Sequence, residues 1–147
     1  MKLSTNFTLS ELTKSQTAIR LGIDNTSPND TVIRNLKTLS EHVLQPVRDH
    51  FGRVDVNSGY RCLELNRALH SKDTSQHVTG NAADIEISGV TNLTLAQWIR
   101  DNLTFDQVIL EYWYPDEGGN SGWVHVSYSD RNRKQALVIN KNGTSYL

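Results

Sequence analysis

His77, Asp84 and His125 are residues whose types suit one shared chemical task. The first two lie seven positions apart in SQHVTGNAADIEI, from Ser75 to Ile87, and the third sits in GWVHVSY. Two imidazoles and one carboxylate make a ligand set for zinc and leave a fourth tetrahedral position open for water. Gly80 lets the backbone between the first two ligands turn tightly, and Ala82 and Ala83 keep bulk away where the chain enters a strand. Each member taken alone has an ordinary reading. A lone histidine is usually a core or surface residue, as expected of His42, His50 and His70, and Asp84 alone would be a solvated acid at a strand end. The metal reading rests on the set.

The elements that must position these residues follow from periodicity. Thr8 and Glu11 fit a capping box opening a short helix, and Asn29 or Asp30 caps a longer one. In that longer helix Ile33, Leu36, Val43, Leu44 and Val47 recur at helical spacing, Pro46 should bend it, and Gly52 ends it. LELNRALH after Arg61 reads as a helix, as does LTLAQWIRDNL with Thr94 and Gln97 as its capping pair. The second half turns to strands. Val54 and Val56 share a face in RVDVN; Ala83, Ile85 and Ile87 do so in ADIEI, with Asp84 and Glu86 opposite. QVILEYW places Val108, Leu110 and Tyr112 on one face and Ile109, Glu111 and Trp113 on the other. Val124 and Val126 point inward with His125 outward, and the last strands form a hairpin around Asn142-Gly143. Helices first and strands later predict an α+β fold with an antiparallel sheet, in one domain spanning residues 1–147. If their strands are neighbours, Asp84, Glu111 and His125 converge.

Composition narrows the partners. A net charge of −1 without a run of lysine or arginine gives no pull toward nucleic acid or an anionic membrane. The single cysteine, Cys62, cannot form an internal disulfide, and no stretch is apolar enough for a signal peptide or a membrane span. The expectation is a soluble protein, cytoplasmic at synthesis, with no nucleic-acid or membrane partner.

SQHVTGNAADIE resembles the S-x-H-x-x-G-x-A-x-D signature of the M15-type zinc peptidases, with Ser75, His77, Gly80, Ala82 and Asp84 at its fixed positions. Upstream, NSGYRCLELN is similar to that family's S-G-Y-R segment, and GWVHVSY to its second histidine strand. The group includes D-Ala-D-Ala carboxypeptidases, bacteriophage L-alanoyl-D-glutamate endopeptidases and the hedgehog signalling domain. The resemblance implies a hedgehog/DD-peptidase-like fold, zinc held by His77, Asp84 and His125, and a peptidoglycan stem peptide as substrate; a monomer is the expectation for the chain. It also implies that Arg61 holds a substrate carboxylate or the oxyanion formed on attack, as a planar, permanently charged guanidinium can. Tyr60 and Ser75 join Arg61 as substrate-binding residues on the same ground, Ser75 orienting either the substrate or the metal shell.

The general base is a point of departure. Several members carry a glutamate three residues before the second histidine, where this chain has Gly122. A carboxylate near the attacking water is still required. Glu111 is the choice, because its strand precedes that of His125 and its side chain leaves the apolar face; Asp116 and Glu117 are substitutes, and Glu86 reads as a solvated strand acid. Cys62 has no histidine partner in sequence and reads as a small hydrophobe. Trp98, Trp113 and Trp123 read as core or cleft-wall aromatics, Trp123 lining the cleft. With no export segment, a phage lysin released through a membrane opened by another protein, or carried in a virion, fits a wall substrate. A cytoplasmic dipeptidase and a zinc-stabilised, non-catalytic binding module are the alternatives.

Overall fold

Capping side chains set where the helices begin in the computed structural model, which describes residues 1–118 and 120–147. The Thr8 hydroxyl accepts from the Glu11 amide at 3.2 Å and opens α1 (Leu9–Thr13). Ser15 caps α2 (Gln16–Leu21), a short helix that sequence reasoning missed. Of the two candidates for α3 (Asp30–Leu39), Asn29 is the cap, accepting from Val32 N at 2.9 Å. The chain stays helical to Phe51, but residues Ser40–Leu44 wind as a π-helix before α4 (Gln45–Phe51). That wider turn stands directly ahead of Pro46, which lacks the N–H an α-turn needs. Gly52, at a φ of 93°, ends the run. After α5 (Leu63–Ala68), helix α6 (Asn92–Asn102) starts earlier than a Thr94 cap allows. Thr91 is its cap, accepting from Thr94 N at 3.1 Å.

The strands are β1 (Asp55–Ser58), β2 (Ala82–Glu86), β3 (Gln107–Glu111), β4 (Trp123–Ser127), β5 (Gln135–Asn140) and β6 (Gly143–Tyr146). They form one sheet in the order β1-β2-β4-β3-β5-β6. The fold is α+β as expected, and its sheet is antiparallel except that β5 runs parallel to β3. The exception has a simple cause. A direct connection turns β5 back against the direction of β4, but β2 and β3 already flank β4, so β5 joins the free edge of β3. The terminal hairpin closes at Asn140 opposite Gly143, which puts Lys141 and Asn142 in the turn rather than Asn142 and Gly143.

Alternation sends Ala83, Ile85, Val108, Leu110, Val124 and Val126 to the face covered by the helices, where they join Leu36, Val43, Leu44, Val47, Leu95 and Ile99 in one core. Each valine, leucine or isoleucine among them stabilises by about 1.5–3 kcal/mol when fully buried. A one-residue slip would exchange the two faces, so the core enforces the register that presents Asp84 and His125 on the other side. The pattern fails at the exit of β3. Tyr112 has a φ of 55° and is exposed, not aligned with Val108 and Leu110, and Trp113 packs on the core instead of beside Glu111. One left-handed residue breaks the two-residue alternation. The exit is held by β5: Tyr112 N donates to Ile139 O at 2.7 Å, and Asn140 Nδ2 to Trp113 O at 2.8 Å. No helix of the described residues is long and apolar enough to cross a membrane.

Asp106, buried just before β3, fastens the loop ahead of His77 to the sheet. It accepts from Gln76 Nε2 at 2.8 Å and from the main chain and guanidinium of Arg133 at 2.8–3.0 Å. The Arg133 hydrogen bond is the main reason its carboxyl lies well below the usual carboxylate range, against the opposing effect of burial. A pKa depressed by folding stabilises fully above about pH 4 and loses that contribution as pH falls through the folded value. Asp106→Ala is expected to lower the unfolding free energy by about 2–3 kcal/mol at pH 7. Urea denaturation measures it, and the gap from wild type narrows in acid.

Candidate metal centre

Pairing of β2 with β4 sets Asp84 directly opposite His125. His125 Nδ1 lies 3.2 Å from Asp84 Oδ1, and His77 Nε2 lies 3.3 Å from the same oxygen. All three side chains are buried, and one ligand atom from each falls within 4.8 Å of the others. His77 arrives from a loop of consecutive turns, in which Val78 N donates to Ser75 O at 3.1 Å. Gly80 closes that loop at a φ of 77°, and a Cβ there would stand 2.8 Å from the Val32 carbonyl oxygen. Glycine is needed for both reasons.

The hydrogen bonds orient the His77 imidazole. Its Nδ1 lies 2.7 Å from Gly59 O, and a carbonyl can only accept, so Nδ1 carries a proton and Nε2 is the nitrogen turned to Asp84. Burial alone would raise the Asp84 pKa, but the facing imidazoles of His125 and His77 outweigh it and hold the carboxyl well below its usual range. An ionised carboxylate oxygen and an imidazole lone pair repel at 3.3 Å unless a proton or a cation stands between them. A divalent cation could take the place of a proton in both histidine contacts at once. Two imidazole nitrogens and a carboxylate oxygen are a donor set that suits zinc.

Arg61 is drawn into the same cluster. Its Nη2 donates to Asp84 Oδ2 at 3.3 Å, its Nε to Ser58 Oγ at 3.0 Å and its Nη1 to Asn66 Oδ1 at 3.3 Å, while its amide donates to His77 O at 3.1 Å. Ser58 and Asn66 were missed in the sequence. The available signal was Asn66 itself, an amide beside Leu65 on the buried side of α5. Ser75 Oγ accepts from His77 N at 3.3 Å and so braces the ligand loop. Tyr60 is half-buried against the core, its amide bonded to Leu12 O and its carbonyl to Asn25 Nδ2 at 2.9 Å. It anchors the segment between the Gly59 carbonyl and Arg61.

Glu111 pairs with Trp123 across β3 and β4, and its Oε1 lies 3.8 Å from His125 Nδ1. Burial pushes its carboxyl above the ordinary glutamate range; the Asp84 charge adds to this and the histidines partly offset it. Gly122 has a φ of 63°, and a Cβ at that position would overlap the Glu111 carbonyl oxygen. A glutamate cannot stand at 122 without displacing β3, whereas residue 111 already reaches the cluster. Asp116 and Glu117 are exposed on a short 3-10 turn (Pro115–Glu117). Glu86 differs from the solvated acid expected, since its two oxygens accept from Asn92 Nδ2 at 3.0 Å and Asn57 Nδ2 at 3.1 Å. Trp123 and the exposed Tyr112, with ring centroids 5.2 Å apart, stand beside Glu111 as an aromatic wall. Trp98 and Trp113 pack on the core, His42 stacks on Tyr128, and His50 stacks on Trp98.

Replacing His77, Asp84 or His125 by alanine is expected to weaken zinc binding by more than about a hundredfold, beyond the effect of losing an outer hydrogen-bond partner. Competition with a chromophoric chelator measures it.

Comparison with curated proteins gives no significant match. The family model described as Peptidase M15 matches residues 5–127. That span takes in His77, Asp84, His125, Arg61 and Glu111, and ends where β4 ends, ahead of β5 and β6. The chain belongs to the peptidase M15 family of metallopeptidases.

Proposed function

We propose that the chain is a zinc-dependent peptidase that cleaves amide bonds in the stem peptides of peptidoglycan. The observation that carries this reading is the buried Asp84 carboxylate between two imidazoles, with Glu111 3.8 Å from one of them. Zinc bound by His77, Asp84 and His125 would supply Lewis acidity, polarising the scissile carbonyl and making a water acidic enough to attack near neutral pH. Glu111 would take the proton of the attacking water on Oε1 and deliver it to the departing amine, a role its nearness to His125 supports. Its raised pKa suits the transfer, because a carboxyl whose pKa lies closer to the working pH can both accept a proton and return it. Arg61 uses three of its five N–H groups on Ser58, Asn66 and Asp84. The two that remain can meet a substrate carboxylate or a developing oxyanion. Stem peptides, whose amide bonds lie near free carboxylates, match that donor pair.

A zinc-stabilised binding module is the reading that glycine at 122 favours. The position of Glu111 supports an enzyme instead, since the base is supplied from the adjacent strand.

Incubation of the protein with isolated cell walls, with and without a chelator, is expected to give metal-dependent release of amino groups. Mass analysis of the fragments names the bond. Free D-Ala-D-Ala run in parallel identifies a dipeptidase if it alone is cut, and failure to cut either substrate rejects the enzyme reading. Glu111→Gln should lower kcat by about 10²–10⁴ while zinc binding persists. In wild type the acidic limb of the pH–rate profile should lie above the range of a free glutamate, because Glu111 must be ionised and burial raises its pKa. A limb at ordinary carboxylate pH would remove Glu111 as the base.

A further inference from the structure

We infer that Asn66 and Ser58 are positioning residues: they hold the Arg61 guanidinium so that it fixes the Asp84 carboxylate, and the metal affinity of the centre depends on them. The inference rests on the metal-binding reading of His77, Asp84 and His125. Asp84 has two oxygens with different tasks. Oδ1 faces His77 and His125 at 3.3 and 3.2 Å, and Oδ2 is taken by Arg61 Nη2 at 3.3 Å. A carboxylate that turned freely would present either oxygen to the histidines; holding Oδ2 leaves Oδ1 in place.

Arginine is long and flexible, so it can orient another group only if it is oriented itself. All three of its guanidinium nitrogens are engaged by protein, Nε by Ser58 at 3.0 Å and Nη1 by Asn66 at 3.3 Å besides the bond to Asp84. Three attachment points define a planar group.

Asn66 is fully buried, and its amide cannot be reversed. Nδ2 donates to Lys72 O at 2.8 Å, which leaves Oδ1 to accept from Arg61. The site needs one donor and one acceptor on adjacent atoms. Aspartate would set an acceptor against the Lys72 carbonyl, and leucine would leave both neighbours unpaired. That carbonyl also accepts from Ser75 N at 2.9 Å, so Asn66 ties the loop leading to His77 to the arginine that holds Asp84. The geometry links two metal ligands through a residue that touches neither.

The full chain carrying Asn66→Ala, and separately Ser58→Ala, tests this. Zinc affinity is measured by chelator competition, with circular dichroism confirming the fold and hydrolysis of cell walls measured alongside. The expected result is a loss of zinc affinity of about tenfold or more for Asn66→Ala, with a smaller loss for Ser58→Ala. Should Asn66→Ala fail to fold, Ser58→Ala, at the end of β1 and only half-buried, decides alone. Folded variants that bind zinc as tightly as wild type overturn the inference, whatever the hydrolytic activity. A wild-type protein that cuts no wall, beside variants with weakened zinc affinity, rejects the proposed hydrolysis and leaves the positioning role standing.

Discussion

A carboxylate buried without partners is costly enough to be avoided in folded proteins. Asp84 is buried, and the architecture around it can be understood as the supply of its partners. Arg61 brings a permanent positive charge to one oxygen, and His77 and His125 bring imidazoles to the other. The ionised state these neighbours enforce is what turns a polar cluster into a ligand set, because a protonated carboxyl would be a poor donor to a cation.

The fold meets this demand with few elements. Asp84 and His125 sit opposite each other on β2 and β4, inside the six-strand sheet and away from both its edges. The apolar core behind them locks the strands in register, so the hydrophobic effect on one face sets the geometry of polar groups on the other. His77 comes instead from a loop, where its imidazole also reaches the Gly59 carbonyl. The turns around Gly80, and the bond from the Arg61 amide to the His77 carbonyl, bring it there.

Much of this was legible in the sequence because it depends on local rules. Alternation in ADIEI and WVHV assigned Asp84 and His125 to the non-core face, and the same parity in QVILE assigned Glu111. The Thr8 cap was legible from side-chain chemistry alone, which also narrowed the next cap to Asn29 or Asp30 but could not choose between them. What escaped depends on distant partners or on unusual backbone. Ser58 and Asn66 acquire meaning only when Arg61 folds between them, and a carbonyl such as that of Gly59 leaves no trace in residue type. The left-handed turn at Tyr112 defeated alternation by one residue and exchanged the environments of Tyr112 and Trp113. The parallel placement of β5 follows from which sheet edge stood free, a property of the assembled sheet. Gly122 looked like a missing acid; in three dimensions it is the contact that lets β4 start alongside the strand bearing Glu111.

Strands β5 and β6 lie beyond the segment shared with the family, yet Ile139 and Asn140 hold the main chain of Tyr112 and Trp113 as it leaves Glu111. A shift of β5 would therefore reach Glu111 and the exposed Tyr112 through their shared main chain, while Asp84 and His125 are held by the pairing of β2 with β4 and His77 by the turns around Gly80.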